Sequence, residues 1–401
     1  MENCLPSTLS SKVTAIKEEF MLHGYQKPLS GNKVGVVFGS FAPLHQGHLD
    51  CIMRAKKEND GGCIVIVCGF PGDKGGEMMP LKRRYRYVRE EFADDDLVAV
   101  YAIDDGEIGA APYPDGWEPW LDEFYKIFEK AVEKNYVDSP ASTLMQYSWP
   151  KRHWYAGDPN YVSDLIERGE EATLLDRVAD NPICATMIRQ NPIKHWDKIT
   201  TPFRRLFSHN ILICGTASEG KSTLTADLGK YFNAPYSYEY AREYMKESCV
   251  IDWELDGADY IAFLEGQYNL NRKLINSPGN HGIFFADSDS MVTRMYAEYY
   301  AKDPTCALTE EEFKQVANMA DAITAKCRWD KIFLIAPHGV FVDDHERYMA
   351  HSGMKERMEL YEILVKNLKE SGNWDKVVVL NGDYYENFMT VVKYVREVMA
   401  R

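Results

Sequence analysis

Residues 211–223 read ILICGTASEGKST, and this stretch decides how the second half of the chain folds. It fits the pattern G-x-x-x-x-G-K-S/T, with Gly215, Gly220, Lys221 and Ser222 in register after an apolar run and before a helical pattern. In a phosphate-binding loop, glycines let backbone amides turn toward phosphates, the lysine neutralises the β and γ charges, and the serine reaches Mg²⁺. A plain glycine-rich strand-to-helix connection would not require the Lys-Ser pair at this offset. The stretch therefore predicts a P-loop domain.

Length, charge and cysteine usage limit the classes of protein to which the chain can belong. Its 401 residues are too many for one ordinary core and predict two or three domains. The formal net charge of -15 argues against a general nucleic-acid surface, and the nine cysteines include no CxxC pair. Apolar runs such as residues 64–68 are much shorter than the roughly 20 residues that a membrane helix needs. We expect a cytoplasmic protein without membrane insertion, direct nucleic-acid binding or a disulfide framework.

A second candidate site follows the first predicted strand. Residues 1–32 form an N-terminal extension that is too short for a complete helix-turn-helix domain, and residues 33–38 are typical of a buried parallel strand. A helical pattern at 49–57 and a strand at 64–68 come next. Alternating strands and helices predict a doubly wound α/β sheet, in which ligands bind at the carboxyl ends of strands. Residues 39–48, GSFAPLHQGH, lie at such an end.

His45, Gly47 and His48 form an HxGH motif at this strand end. The glycine lets the backbone approach a phosphate closely, and two imidazoles beside a helix start can donate hydrogen bonds to a triphosphate. Nucleotidyl transfer needs such donors because charge develops on the α-phosphate and on the departing pyrophosphate. A histidine pair that caps a helix or binds a metal is the alternative. The lead-in with glycine, serine and proline favours the nucleotidyltransferase interpretation.

Two signatures and their order resemble a known family. The stretch GSFAPLHQGH resembles the GxFxPxHxGH signature of nicotinamide mononucleotide adenylyltransferases, and residues 183–189, ICATMIR, resemble their ISSTxxR signature. A P-loop domain directly after such a transferase resembles the bifunctional NadR family, which joins that adenylyltransferase to a ribosylnicotinamide kinase. The resemblance covers residues 33–401 and indicates a form without the N-terminal helix-turn-helix domain. It implies an α/β protein in which a Rossmann-like nucleotidyltransferase domain precedes a P-loop kinase domain.

The resemblance also implies domain boundaries, ligands and partners. The adenylyltransferase domain is expected at 33–192 and the kinase domain at 211–401. The prolines of the connection at 193–210 favour a hinge or a docking segment there. ATP and Mg²⁺ are the expected cofactors, and ribosylnicotinamide and nicotinamide mononucleotide are the expected substrates. The family leaves open a homo-oligomer and a functional link to a nicotinamide riboside transporter, neither of which the residues themselves indicate.

The motif matches assign residues to the ATP site of the transferase. By resemblance, His45, His48 and Arg189 are the catalytic groups, and the ATP ligands are Gly39, Ser40, Phe41, His45, His48, Thr186 and Arg189. Cys184 stands where the broader family has a serine. Because a thiol is a weaker hydrogen-bond donor than a hydroxyl, the role of this position is open. The hydroxyl of Thr186 and the guanidinium of Arg189 remain suited to phosphate binding.

Two further clusters lie between the signatures. Residues 113–120, YPDGWEPW, resemble a tryptophan-containing stretch of NadR proteins, and the indoles of Trp117 and Trp120 are predicted to stack on a cationic nicotinamide ring. Packing anchors are the alternative role for both, and Trp154 is a weaker candidate. The basic run at 82–89 has helical spacing and is interpreted as a solvated or subunit-contacting face.

Later stretches supply the remaining residues of the kinase. Residues 237–244, SYEYAREY, resemble the EYxR pattern of NadR proteins, so Glu239 is a candidate base and Arg242 a candidate substrate or phosphate ligand. The apolar run before Asp287 has the Walker B form, so Asp287, in preference to Asp289, is predicted to hold Mg²⁺ or its water and to contact the substrate. Either Glu239 or Asp287 is expected to take the proton of the attacking hydroxyl.

The ATP site of the kinase is expected to include a basic lid. Arg347, Lys355 and Arg357 lie where such a lid would bring positive charge onto the transferring phosphoryl group. Lys221 is the expected catalytic lysine. The predicted ATP ligands are Gly215, Ser218, Glu219, Gly220, Lys221, Ser222, Thr223 and Arg347.

These assignments lead to one interpretation and two alternatives. The interpretation is a bifunctional enzyme that phosphorylates ribosylnicotinamide and then adenylylates the mononucleotide, giving NAD and pyrophosphate. The first alternative is a transferase-kinase fusion that acts on another acceptor, because the motifs report ATP handling more strongly than acceptor identity. The second is a nucleotide-sensing regulator with a silent site, although the intact motif residues weigh against it.

Overall fold

The computed structural model describes residues 26–70, 72, 75–137, 146–175, 182–338 and 353–400. The chain divides into two compact units, Met1–Leu206 and Phe207–Arg401. Each unit contains one five-stranded sheet. Among the described residues, no helix combines the length and the apolar character that crossing a bilayer requires.

The first unit alternates strands and helices along most of its length, as its sequence pattern predicts. Its elements are β1 (Lys33–Gly39), α1 (Gln46–Glu58), β2 (Cys63–Gly69), α2 (Leu81–Glu91), β3 (Val98–Asp104), α3 (Trp117–Ala131), β4 (Asn135–Val137), β5 (Gln146–Ser148), β6 (Lys151–Ala156), α4 (Pro159–Glu167), β7 (Glu171–Leu174), α5 (Ala185–Gln190) and α6 (Thr201–Arg204).

The sheet of the first unit has the strand order β3-β2-β1-β6-β7, and all its pairings are parallel. The chain moves outward from β1 to β3 and then returns to the other side of β1 with β6. Val36 accordingly lies beside Ile64 of β2 on one side and Trp154 of β6 on the other. This reversal makes the carboxyl edge at β1 a topological switch point, where Rossmann-like sheets bind ligands. The HxGH stretch begins at this edge.

Helix α3 supplies most of the aromatic core of this unit. Its buried positions 117, 120, 121, 124, 127, 128 and 131 recur every three or four residues, which places them on one face of the helix. Phe124 packs on Trp154, with ring centroids 4.4 Å apart. Trp154 is fully buried and donates its indole N–H to Glu170 at 3.0 Å. Trp154 is therefore a core residue, and its weaker candidacy as a ligand contact is not supported.

Within the predicted connection, residues 196–206 pack into the first unit. Trp196 and Phe203 are buried, and Ile199 forms an isolated antiparallel bridge with His45. The backbone N–H of Thr200 donates to Leu44 O at 3.4 Å. The prolines that suggested flexibility are compatible with this packing, since the one at position 202 lies in the first turn of α6, where its missing N–H costs nothing.

The second unit is a second alternating α/β arrangement. Its elements are β8 (His209–Gly215), α7 (Lys221–Phe232), β9 (Tyr236–Ser237), α8 (Tyr240–Ser248), α9 (Gly257–Ile275), β10 (Ile283–Asp287), α10 (Ser290–Tyr300), α11 (Glu310–Thr324), β11 (Lys331–Ile335), α12 (Met354–Glu370), β12 (Val377–Leu380) and α13 (Tyr384–Met399).

The second sheet is also parallel, with the order β12-β11-β8-β10-β9. Apolar residues of α7 and α13 cover one face of the sheet, and those of α10 and α12 cover the other. Strand β8 lies at the centre, and its residue Ile213 is paired with Asp287 of β10 and Phe333 of β11. The carboxyl end of β10 therefore lies directly beside the start of the P-loop. Strand β9 has only two residues, which is too few to give a sequence pattern of its own.

Candidate functional site

The HxGH turn brings two imidazole rings together at the carboxyl edge of the first sheet. The rings of His45 and His48 are stacked, with centroids 3.8 Å apart, and the edge of Phe41 packs on His48 at 4.9 Å. Phe41 has a positive φ of 46°, which turns the chain sharply after β1. A Cβ at Gly47 would lie only 3.3 Å from the His45 ring. A side chain at position 47 would therefore crowd the stacked rings, and glycine avoids this contact.

A buried arginine binds backbone carbonyls next to this turn. Arg84 of α2 is fully buried and donates to three backbone carbonyls, those of Ser40, Cys68 (2.8 Å) and Met79 (2.8 Å). It therefore ties the carboxyl ends of β1 and β2 together. The interpretation of the basic run as a solvated or subunit-contacting face is wrong for this residue, because its charge is satisfied inside the fold.

The second signature contacts the first through its arginine. Arg189 Nη1 donates to Ala42 O at 2.5 Å, and Nη2 donates to Thr186 Oγ1 at 3.1 Å. Cys184 is exposed at the start of α5, and its thiol makes no capping hydrogen bond. The structure thus brings Thr186 and Arg189 to the loop after β1, while the open position of Cys184 provides no helix cap.

An aromatic pocket opens next to the HxGH turn, at the carboxyl ends of β1, β2, β3 and β6. Its lining includes Gly39 and Ser40 of the turn together with Phe38, Trp117 and Trp120. The remaining lining residues are Cys68, Phe70, Asp105, Ala111, Pro112, Tyr113, Gly116, Ala156, Gly157, Asp158 and Tyr161. The two tryptophans are thus both core residues and pocket residues. Their indoles are stacked on each other, with centroids 5.2 Å apart.

Asp105 is a pocket residue that the sequence interpretation missed. It directly follows β3, and its backbone is fixed because its N–H donates to Gly69 O at 2.8 Å and its carbonyl accepts from Ala110 N at 2.8 Å. Burial, with a smaller contribution from the neighbouring Asp104, raises the pKa of Asp105 to about 6. Its position at a strand end was the available sequence signal, because ligands of parallel sheets gather at such ends.

The P-loop has the backbone geometry that its glycines predict. Gly220 has a φ of 77°, and a Cβ at Gly215 would lie 2.9 Å from a backbone carbonyl oxygen, so both positions favour glycine. Lys221 begins α7 and donates to Thr216 O across the loop at 2.8 Å. Ser222 Oγ donates to Asp287 Oδ2 at 2.5 Å. The predicted pair of hydroxyl and carboxylate is therefore assembled beside the loop.

Asp289 has a structural environment that differs from that of Asp287. It caps α10 by accepting from Met291 N at 3.0 Å and accepts from the Trp329 indole at 2.9 Å. Burial raises the pKa of Asp289 to about 6. The carboxylate oxygens of Asp289 are committed to these structural contacts, whereas Asp287 accepts from the P-loop serine.

The side chain of Glu219 points into the protein. Its carboxylate is fully buried, pairs with Arg357 Nη1 at 2.7 Å and accepts from the backbone N–H of His338 at 3.1 Å. The lid prediction for Arg357 is therefore wrong, since its charge is held beneath the P-loop. Lys355 is exposed, and Arg347 lies outside the described residues.

Residues of the EYxR stretch line a second pocket, in the second unit. Glu239 is nearly buried at the start of α8, and Arg242 approaches it to 3.9 Å. Glu239 shares this pocket with aromatic and acidic side chains from neighbouring helices. The pocket is lined by Glu239, Ala241, Met245, Asp252, Leu255, Tyr260, Phe263, Gln267, Ser288, Val292, Thr293, Tyr296 and Tyr300. Since Ser288 directly follows Asp287, this pocket begins next to the P-loop carboxylate.

These two sites define a class, a nucleotidyltransferase unit followed by a P-loop unit in one chain. Comparisons with known proteins agree, because a cytidylyltransferase-like family matches residues 36–191 and an AAA domain family matches residues 210–387. The trifunctional NAD biosynthesis/regulator protein NadR of Salmonella typhimurium is 30% identical over 390 residues, covering 94% of this chain and 86% of that protein. The chain belongs to the NadR family, and the prediction from the two signatures is confirmed.

Other relatives extend the similarity to solved structures. NadR of Escherichia coli is 28% identical over 94% of this chain and 86% of its own. A crystal structure of NadR in complex with NR is 32% identical and superposes with a TM-score of 0.79, covering 93% of this chain and 97% of that chain. A NadR structure in complex with NAD and AMP-PNP is 33% identical, with a TM-score of 0.77 and coverage of 94% and 98%. The predicted fold class is therefore also confirmed.

Proposed function

We propose that this protein catalyses two ATP-dependent steps of NAD salvage. The second unit phosphorylates the 5′ hydroxyl of ribosylnicotinamide, and the first unit transfers AMP from ATP to nicotinamide mononucleotide, giving NAD and pyrophosphate. The observation that carries the proposal is that the HxGH turn and the P-loop lie in separate units, each next to an aromatic pocket. Its relatives support the acceptor, because solved NadR complexes contain NR and NAD with AMP-PNP.

In the transferase, the proposed role of the chain is to position hydrogen-bond donors, while the substrate phosphate is the nucleophile. His45, His48 and Arg189 are proposed to bind the triphosphate, because all three lie at the loop after β1. Removing one such preorganised donor typically lowers kcat about 10²–10³-fold. Gly39 and Ser40 line the adjoining pocket, so the mononucleotide phosphate can attack the α-phosphate from that side.

In the kinase, Lys221 is proposed to neutralise the β- and γ-phosphates. A hydroxyl and a carboxylate are suitable ligands for Mg²⁺, which usually keeps several waters and phosphate oxygens, so Ser222 and Asp287 fit the ion. Mg²⁺ held by these two side chains would help to offset the negative charge of the phosphates during phosphoryl transfer. Glu239 is the proposed base, because it lines the acceptor pocket while Asp287 bonds to the P-loop serine. Arg242, close to Glu239, is proposed to orient this carboxylate and the substrate.

Two variants test whether the two activities reside in separate sites. His48→Ala should lose adenylyl transfer and retain kinase activity, and Lys221→Ala should do the reverse. Purified protein with ATP and Mg²⁺ would receive either ribosylnicotinamide or nicotinamide mononucleotide, and the products would be separated by chromatography. Wild type should give NAD from both substrates. Parallel loss of both activities in folded variants would contradict the proposal.

A further inference from the structure

A glutamine of α9 holds the backbone on both sides of Glu239, the proposed base of the kinase. Gln267 is buried, with 4% of its surface exposed. Its side-chain oxygen, Oε1, accepts from Tyr240 N at 2.8 Å, and its side-chain nitrogen, Nε2, donates to Tyr238 O at 3.2 Å. Because residues 238 and 240 are the chain neighbours of Glu239, this one side chain anchors the short segment that carries the carboxylate.

The hydrogen-bonding capacity of this carboxamide is already used within the protein. A primary amide has two N–H donors. Gln267 Nε2 donates to Tyr238 O and also to Asn271 Oδ1 at 3.1 Å, one turn further along α9, with Ser237 Oγ more distant at 3.5 Å. Gln267 also lines the pocket that contains Glu239. Since both donors have protein acceptors, the side chain is suited to orienting Glu239 and not to donating to a substrate.

Helix α9 is a second support for a segment that the sheet holds through few residues. Strand β9, which precedes Glu239, has two residues and lies at the edge of the sheet beside β10. A Cβ at Gly266 would lie 2.1 Å from the ring of Tyr240, so glycine at this position lets the ring pack closely against α9. Gly266 and Gln267 are consecutive, and they receive the ring and the backbone N–H of the same tyrosine.

We infer that Gln267 is a positioning residue of the kinase, which orients Glu239 toward the attacking hydroxyl. The inference rests on the proposed phosphorylation of ribosylnicotinamide and on Glu239 as its base. In that step the 5′ oxygen bonds to the γ-phosphorus, the bond to ADP breaks, and the hydroxyl proton passes to Glu239. A base must lie within hydrogen-bond reach of the proton that it takes. A misplacement of about 1 Å can lower the rate about 10²-fold, so a displaced segment should reduce kcat more than it weakens substrate binding.

The test is a double-mutant cycle on kinase turnover in the full-length protein, with ATP and Mg²⁺. Gln267→Met keeps the length of the side chain and removes the carboxamide, so kcat should fall by about 10–100-fold while KM for ribosylnicotinamide changes by less than about threefold. In a Glu239→Gln background the same substitution should lower kcat by less than about twofold, because a residue that acts through Glu239 then has no base to position. The matched control is Asn269→Leu, at an exposed position of α9, and it should retain the kcat of wild type.

A second variant and a binding measurement separate this effect from misfolding. Gly266→Ala places a methyl group against the Tyr240 ring and leaves the carboxamide in place. It should also lower kcat, and only while Glu239 is present. Calorimetric titration with ribosylnicotinamide should give a Kd for Gln267→Met within about threefold of wild type, because positioning of the base acts on the transition state. If Gln267→Met does not fold, Gly266→Ala provides the same comparison.

The outcomes distinguish the inference from the function on which it rests. An equal loss of kcat in both backgrounds, or a raised KM with unchanged kcat, would overturn the inference and leave the kinase function standing. Wild-type kcat in Glu239→Gln would overturn the assignment of the base and the inference with it. A wild-type protein that adenylylates nicotinamide mononucleotide but does not phosphorylate ribosylnicotinamide would overturn the proposed kinase function itself.

Discussion

The buried ion pair between Glu219 and Arg357 allows a quantitative test of how the P-loop is held. The side chains are 0% and 3% exposed, and the pair is 2.7 Å apart. Arg357→Met keeps much of the aliphatic stem and removes the charge. Glu219 would then retain the hydrogen bond from His338 N but would lack its buried counter-charge. We expect the second unit to lose stability and the P-loop to lose its fixed geometry.

The magnitude follows from the cost of an unpaired buried charge. Removing one partner of such a pair costs about 3–5 kcal/mol, which lowers the Tm of a domain of this size by roughly 6–20 °C. Glu219→Gln can still accept from His338 N. Combined with Arg357→Met it leaves no buried charge, so the double variant should lose only about 1–2 kcal/mol. The cycle should therefore give a coupling energy of about 2 kcal/mol or more.

The assay is urea inactivation followed for both reactions in the same sample. The midpoint for ribosylnicotinamide phosphorylation should fall in Arg357→Met, while the midpoint for adenylyl transfer serves as an internal reference. Lys355→Met is the control, because Lys355 is 85% exposed and its ion pair with Glu359 is long, at 3.8 Å. This variant should change the free energy of unfolding by less than about 0.5 kcal/mol. Additive single effects, or a wild-type midpoint in Arg357→Met, would refute the reasoning.

Three further predictions concern other buried groups. Arg84→Met should lose about 3 kcal/mol or more and depress adenylyl transfer, because the carbonyls of Ser40 and its neighbours lose a charged donor; kinase turnover is the comparison. Asp287→Asn should raise the Mg²⁺ concentration for half-maximal kinase activity at least tenfold without affecting adenylyl transfer. Asp105→Asn should stabilise the protein near pH 7.5. The pKa of Asp105 is raised from its ordinary value of 3.8 to about 6, so above pH 6 the ionised side chain lowers the free energy of unfolding. Linkage sets this cost at about 3 kcal/mol, and solvent screening reduces it to about 1 kcal/mol. The gain should vanish by pH 4, and urea unfolding at both pH values measures it.

The parts of the site that could be predicted from the sequence are those specified by local motifs. The P-loop pattern placed Lys221 at a helix start and Ser222 beside the Walker B carboxylate, because a strand, a tight turn and a helix occupy consecutive residues. The HxGH motif likewise placed His45 and His48 at a strand end. In these cases the spacing of residue types along the chain determines the geometry, so no long-range contact had to be known.

The features that were missed depend on contacts between distant segments. Arg84 lies 44 residues from Ser40, and Arg357 lies 138 residues from Glu219. A basic residue on a helix is usually solvated. The local sequence pattern therefore does not reveal a buried arginine that donates to backbone carbonyls. The position of Asp105 in a pocket is likewise visible only once the aromatic residues around it are placed.

The packing of residues 196–206 determines where the transferase unit can be truncated or fused to another domain. The cytidylyltransferase-like family match ends at residue 191, whereas the chain continues to cover the HxGH turn through Ile199 and Thr200. A gene fragment ending at the family border would lack the buried Phe203, and it would leave Leu44 O without the hydrogen bond from Thr200 N and His45 without its bridge to Ile199. A transferase unit that is to be fused to another enzyme should therefore end at Leu206. Recombination at the second signature would remove residues that pack against the HxGH turn.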